Sequence, residues 1–304
     1  MNSPIYSPLQ TREIFHLEFL RWFTRKLKAE HYCLKGGVNL RLFLKSIRYS
    51  EDMDIDIAGV RVERVKKTVM EILSARGFSD SLKSFGVEKV VAPDLTKAKQ
   101  TETTQRFKIH LLTSGGEDLF TKIEFSRRGL KGSTVVESVA APILRFYKMA
   151  PLLVSHYDTA SAVRQKILAL AQRSVLQARD IFDLFVLISQ YTGSTHSTVP
   201  GLKPRACSPR AEHRSTIGTR CEAGLTLSPA KGGGEVSKPH LPVGKAVLKT
   251  ACDNIFLVEF LQFRDTVVAY LAVEDQRTYS SSAVWDDIKL KTVHFLEEFK
   301  NENT

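Results

Sequence analysis

No apolar run of about 18 residues occurs anywhere in the 304-residue chain, which argues against a membrane-spanning helix. The opening stretch MNSPIYSPLQTREIFHLEFLRWF lacks the basic, apolar and small-residue order of a secretory signal, so a cytoplasmic protein is expected. Cysteine is scarce: Cys33, Cys207, Cys221 and Cys252 are widely scattered and form no CxxC pair. That spacing gives neither a disulfide framework nor a thiolate zinc site, and the four are expected to be reduced thiols. His31, His110 and His156 form no cluster and are assigned no role. No internal repeat is evident, and the absence of an RNA-recognition motif, with much of the positive charge concentrated in residues 194–245, weakens the reading of a plain RNA-binding protein.

What is there suits a globular chain of one large or two smaller domains, with 43% hydrophobic and 25% charged residues. The net charge of +11 favours a polyanionic partner such as nucleic acid or nucleotide. Residues 194–245, however, hold eight Lys and Arg against three Glu, or +5 of that total. This stretch is rich in Ser, Thr, Pro and Gly, has no sustained period, and reads as a low-complexity basic insertion between helices.

Before it, a helix is expected from about Gln10 to Glu30, then a short strand, a glycine turn at Gly36 and Gly37, and a helix over Val38 to Leu44. A further helix over Val62 to Arg76 is expected to close at Gly77. Residues 82–128 read as three strands with a Gly115-Gly116 turn, and helical periodicity returns at Ala160. After the insertion, one amphipathic helix is expected over Val247 to Tyr270 and a last one over Ala283 to Phe299.

The most informative stretch is RYSEDMDIDI, Arg48 to Ile57. In a strand, Asp52, Asp54 and Asp56 share one face, with Met53, Ile55 and Ile57 on the other. Aspartate is a poor strand former and like charges on one face repel, so a cation is the natural compensation. Carboxylates two residues apart lie roughly 7 Å apart along the strand and can reach one divalent ion or a pair, which reads as a magnesium site. A solvated acidic turn is the plain alternative. Spacing alone does not choose between Asp52 with Asp54 and Asp54 with Asp56. Gly36 and Gly37, just upstream, offer backbone N–H groups at a helix start to a phosphate. A two-metal site needs a third carboxylate from a neighbouring strand, for which Glu124 in KIEFSRR is the candidate, its alternative being a surface strand glutamate.

GGVNLRLFLKSIRYSEDMDIDI resembles the signature of the AbiEii/AbiGii toxin-like nucleotidyltransferases of bacterial abortive-infection and type IV toxin–antitoxin systems, with Arg48, Tyr49, Ser50, Glu51, Asp52, Met53 and Asp54 filling the metal-site motif. Downstream, Lys166, Ala169, Leu170, Arg173, Arg179, Asp180 and Asp183 resemble the family's second hallmark. The resemblance covers about residues 10–190 and, more loosely, 250–300. It implies an α+β nucleotidyltransferase fold of the polymerase beta-like type, a mixed sheet with helices, followed by a helical C-terminal region. The expected organisation is a core domain over 1–150 and a helical domain over 151–304, interrupted by the insertion at about 194–245.

The resemblance also implies roles. Asp52, Asp54 and Glu124 are metal ligands for two magnesium ions, with Asp56 accessory to them. Lys166 contacts a triphosphate or helps activate the attacking hydroxyl, and Asp180 orients that lysine or the nucleotide. Gly36, Gly37, Arg41 and Lys166 are the expected NTP-binding residues; Arg48 and Arg127 join Arg41 as candidate phosphate neighbours, the alternative for each of the three being a surface arginine. In one straight helix Lys166 and Asp180 would stand about 21 Å apart, so a bend is expected between Arg173 and Arg179. An intrahelical Arg179–Asp183 pair is also expected. The implied reaction moves NMP from an NTP to an RNA, such as a tRNA 3′ end, or to a protein acceptor, with a cognate antitoxin as a further partner and no membrane. The alternative is a catalytically inactive relative acting as a protein-binding module.

Overall fold

The computed structural model describes residues 6–95, 100–191 and 243–302, all within one compact unit. Residues 194–242 of the expected insertion, with Cys207 and Cys221, lie outside the described residues.

The chain opens with α1, Pro8–Lys26, whose start is fixed by a capping box: Ser7 Oγ accepts from Gln10 N–H, and Gln10 Oε1 accepts from Ser7 N–H. It ends at Lys26 rather than Glu30. Leu27 is extended and a short 3-10 turn over Ala29–His31 aims the chain into β1, Tyr32–Lys35. Helix α2, Gly36–Leu42, follows at once, then β2, Asp52–Ile57.

The next expected helix is two. Helix α3, Val62–Leu73, stops at Ser74, and α4, Arg76–Lys83, runs through Gly77. Gly77 is not a cap. A methyl group there would lie 3.3 Å from the Trp22 ring, so the glycine lets α4 approach α1 closely while Phe78 and Leu82 are buried.

Strands β3 (Val87–Val91), β4 (Thr104–Thr113) and β5 (Asp118–Ser126) follow as expected, with Gly115 and Gly116 in the β4–β5 turn. Strand β6, Thr134–Ser138, helix α5, Ala141–Phe146, and β7, Leu153–Tyr157, complete a seven-stranded mixed sheet ordered β3-β4-β5-β2-β1-β7-β6. The sheet thus takes its β7 from beyond residue 150. Parallel pairs β2·β5 and β1·β7 put β2 and β1 at its centre.

Alternation then decides the layers. Met53, Ile55, Phe107, Ile109, Ile123 and Phe125 are buried on one face in the core that also takes in Phe15, Phe19 and Phe23 of α1. The other face carries Asp52, Asp54, Arg106, Lys122 and Glu124.

A second core is helical. Helices α6 (Thr159–Gln172), α7 (Ala178–Ile188), α8 (Lys245–Phe256), α9 (Phe260–Thr266), α10 (Val273–Tyr279) and α11 (Ser282–Glu302) form the C-terminal region. Ile167, Phe182, Ile255, Phe263, Trp285 and Leu296 are buried together there. The single helix expected over Val247 to Tyr270 is broken after Phe256, where Val258 O accepts from the Trp285 indole N–H at 3.1 Å. A carbonyl committed to that indole marks the place where helix periodicity gives way to packing.

Candidate active site

β2 pairs in parallel with β5 so that Asp54 stands directly beside Glu124 and Asp52 beside Lys122. The three carboxylates therefore come from two adjacent strands on one face. Lys122 Nζ lies 2.9 Å from Asp52, and Arg106, opposite Glu124 on β4, donates to it at 2.7 Å. Burial raises the pKa of Asp54 above the usual carboxylate range; Lys35 opposes that and Glu124 adds to it.

Asp56 is different. It is buried, lies 2.6 Å from Lys35 Nζ, and accepts from the Tyr157 hydroxyl at 2.7 Å. It is outside the cavity the other two line, so its place is in the β1–β2–β7 layer rather than as an accessory to a metal pair. The strand moves on by roughly 7 Å over two residues, and there Lys35 neutralises the charge while the Tyr157 hydroxyl donates a hydrogen bond to it.

The glycine turn meets this cluster. Gly36 has φ +68°, and a Cβ there would fall 2.9 Å from Asp54 Oδ2. At Gly37 a Cβ would fall 2.8 Å from Ser50 Oγ and 3.1 Å from Arg48 Nη2. Neither position tolerates a side chain without displacing a charged or polar group.

From the other side comes Lys166. α6 ends at Gln172, Arg173 is extended, and α7 restarts at Ala178, which supplies the bend. Lys166 Nζ then donates to Asp180 Oδ1 at 2.9 Å and Asp183 Oδ2 at 2.6 Å. Arg173 Nε stands 3.0 Å from Asp180 Oδ2, and Arg48 holds Asp183 with two donors at 3.1 and 2.9 Å. The result is a chain of alternating charge, Arg48–Asp183–Lys166–Asp180–Arg173, buried except at its Arg173 end.

Burial alone would raise Asp183, but Arg48 and Lys166 outweigh it and hold its pKa at about 2. Burial would likewise lower Lys166, yet Asp180 and Asp183 win and raise it, so Lys166 is a fixed ammonium. Asp183 does not pair with Arg179. It points to Arg48 and Lys166, and Arg179 is exposed on the cavity wall.

These groups surround one cavity of about 640 Å³, lined by Gly36, Gly37, Asp52, Asp54, Glu124, Lys166 and Asp180 among others. Arg41 is not brought there. It donates to Glu13 at 2.8 Å and stacks over the Tyr49 ring at 4.2 Å, on the far side of α2. Arg127 is also elsewhere, held by Gln105 and the Val60 carbonyl.

The cavity also includes Arg106, Lys122, Gln262 and Tyr270, which motif reading passed over. Alternation in RFKIHLL and TKIEF could have placed Arg106 and Lys122 on the Glu124 face. Gln262 carried no local signal. It accepts from Ala178 N–H at 2.7 Å and donates to Leu176 O at 3.0 Å, clamping the α6–α7 loop from 84 residues away.

As a donor set, Asp52, Asp54 and Glu124 are hard oxygen ligands of the kind magnesium takes. Among the described residues no group of three such side chains is already gathered tightly enough to hold an ion. Lys122 and Arg106 instead neutralise Asp52 and Glu124. The fit is therefore one of chemistry and register: three carboxylates on neighbouring strands, one of them half-buried with a raised pKa.

Over residues 18–266 the sequence matches the family described as "Nucleotidyl transferase AbiEii toxin, Type IV TA system". Among solved structures, it is similar to the nucleotidyltransferase toxin MenT4 from Mycobacterium tuberculosis, with 19% identity and a TM-score of 0.46, covering 59% of this chain and 57% of that one. The chain thus spans little more than half of MenT4. It is also similar to JHP933 from Helicobacter pylori, with 16% identity and a TM-score of 0.48, covering 95% of this chain and 92% of that one. No curated protein matches.

Proposed function

Because the chain belongs to the AbiEii nucleotidyl transferase toxin family of type IV toxin–antitoxin systems, we propose that it transfers NMP from a bound NTP to a hydroxyl of an RNA acceptor, of which a tRNA 3′ end is the leading candidate. The observation that carries this reading is the register of β2 against β5, which sets Asp54 beside Glu124 at the mouth of the Gly36–Gly37 turn and opposite Lys166. The acceptor hydroxyl gives up its proton to solvent as its oxygen attacks the α-phosphorus, the α–β phosphoanhydride bond breaks, and pyrophosphate leaves.

Asp52, Asp54 and Glu124 would hold magnesium, which supplies neutralisation of phosphate charge and activation of the hydroxyl. The backbone of Gly36 and Gly37 lies close enough to Asp54 for a phosphate to be cradled next to the carboxylates. Lys166, kept charged by Asp180 and Asp183, serves the phosphates as a cation and is unsuited to act as a base. Arg173 and Arg179, exposed on the same wall, add positive charge for the leaving pyrophosphate. Arg48 works behind the site by locking Asp183. A cognate antitoxin is the partner that family membership implies. No helix among the described residues is long and apolar enough to cross a membrane.

The test is incubation of the protein, and of an Asp52→Ala, Asp54→Ala double variant, with magnesium, each radiolabelled NTP in turn and total tRNA. Label entering RNA with the wild type alone establishes the reaction and its base preference. No label with any NTP, from folded protein, removes RNA as the acceptor and turns the search to protein acceptors or to an inactive, protein-binding relative.

A further inference from the structure

Beside the cavity the sheet stays open. On the face of β4 and β5 that carries Glu124, register places Arg106 opposite Glu124, Lys108 opposite Lys122, and His110 opposite Phe120. Two like charges directly opposite each other destabilise an antiparallel pair. Lys122 is compensated by Asp52, but Lys108 is exposed and has no ion-pair partner among the described residues. The neighbouring strand adds exposed Lys89 on the same face, opposite Leu112.

One step further out, Phe120 is 41% exposed, with the His110 ring 5.5 Å away. A large aromatic on the solvent face of a strand, beside the His110–Asp118 pair and on the same face as the unpaired Lys108 and Lys89, is only partly used by the fold. The spacing also fits a nucleic-acid strand. From Glu124 to Lys122 to Phe120 is roughly 7 Å per step, about one nucleotide.

We propose that this open β4–β5 face is the track for the single-stranded end of the acceptor nucleic acid, with Lys108 contacting a phosphate and Phe120 stacking a base. The proposal rests on the reading of an RNA acceptor and assigns it a surface. Unpaired lysines give the backbone contact and an exposed ring gives sequence-tolerant stacking, which is how single strands are held without reading their bases. Bases inside a duplex are stacked on both faces and cannot use the ring, so a paired end gains less from it than a single strand does.

The experiment measures binding of a fluorescein-labelled ten-nucleotide oligouridylate and of a blunt RNA hairpin by anisotropy across a salt series, with full-length wild type, Lys108→Gln and Phe120→Ala. NTP binding is followed calorimetrically in the same preparations. For the single strand, Phe120→Ala weakens binding between about fivefold and a hundredfold. Lys108→Gln lowers the slope of log affinity against log salt by about 0.7. NTP affinity stays unchanged in both.

Wild-type affinity for the single strand in both variants, equal affinity of the wild type for the hairpin, or binding of an acidic peptide in place of the oligonucleotide overturns the proposal while leaving nucleotidyl transfer standing. Absent NTP binding with the oligonucleotide effects intact refutes the reaction and upholds the surface.

Discussion

The joint between the strand sheet and the helical region can be tested by breaking Arg48 from Asp183. Both side chains are buried, at 6% and 0% exposure, and meet through two hydrogen bonds of 3.1 and 2.9 Å. Arg48→Met removes the guanidinium and leaves Asp183 with Lys166 alone. Breaking a buried pair from one side costs about 3–5 kcal/mol, and the remaining Lys166 contact places this change near 3. Asp183→Leu strands Arg48 instead and costs a similar amount.

In the double variant Arg48→Met, Asp183→Leu no charge of that pair is left unpartnered, and Lys166 keeps Asp180 at 2.9 Å. Its cost therefore falls short of the sum of the singles by about 2–3 kcal/mol. Urea unfolding reads this directly: at a slope of about 2–3 kcal/mol per M, each single variant loses about 1 M in midpoint. Single variants costing under about 1 kcal/mol, or a double variant whose cost is the plain sum, would refute the claim that this pair ties the loop before β2 to α7.

At the glycine turn, Gly36→Ala must hold φ +68° and place a methyl 2.9 Å from Asp54 Oδ2. It costs about 1–2 kcal/mol of stability and weakens calorimetric NTP binding by tenfold or more, and unchanged NTP affinity would argue against a phosphate cradle there. Gln262→Ala frees the Leu176 carbonyl and the Ala178 amide. It should lower kcat by about tenfold with little change in melting temperature, because the loop bearing Arg173 and leading to Asp180 loses its clamp while the core stays packed; a fall in stability with kcat intact would make the clamp purely structural.

His16 is buried against Thr121, and burial first, then Arg12, brings its pKa down to about 3. The unfolded chain protonates this histidine near 6.5 and the native protein does not, so its contribution is full above pH 6.5 and is lost as pH falls toward about 3. Between pH 7 and 5 urea stability should drop with a limiting slope of about 1.4 kcal/mol per pH unit, and His16→Asn should flatten it; an unchanged slope would show that His16 does not carry the effect.

Local patterns in the sequence determined much of this protein. Alternation in DMDIDI and in KIEF fixed which carboxylates share a face, and the Gly36–Gly37 pair marked the turn, while the bend between Arg173 and Arg179 followed from helix geometry only once the family resemblance gave Lys166 and Asp180 one site. Those features depend on neighbours within a few residues, where backbone geometry is periodic and side-chain direction follows from it.

Only the tertiary structure decided what depends on pairing between distant segments. Asp56 belongs with Lys35 and Tyr157, Arg41 with Glu13, and Asp183 with Arg48 rather than with Arg179 one turn away. A charge takes whichever partner the fold brings to it with burial and good geometry, and in a buried site that outweighs the few tenths of a kcal/mol of an i, i+4 pair. Gln262 reaching back to Leu176 and Ala178 is the same lesson at its longest range: strand order and helix packing set that contact, and no local pattern encodes it.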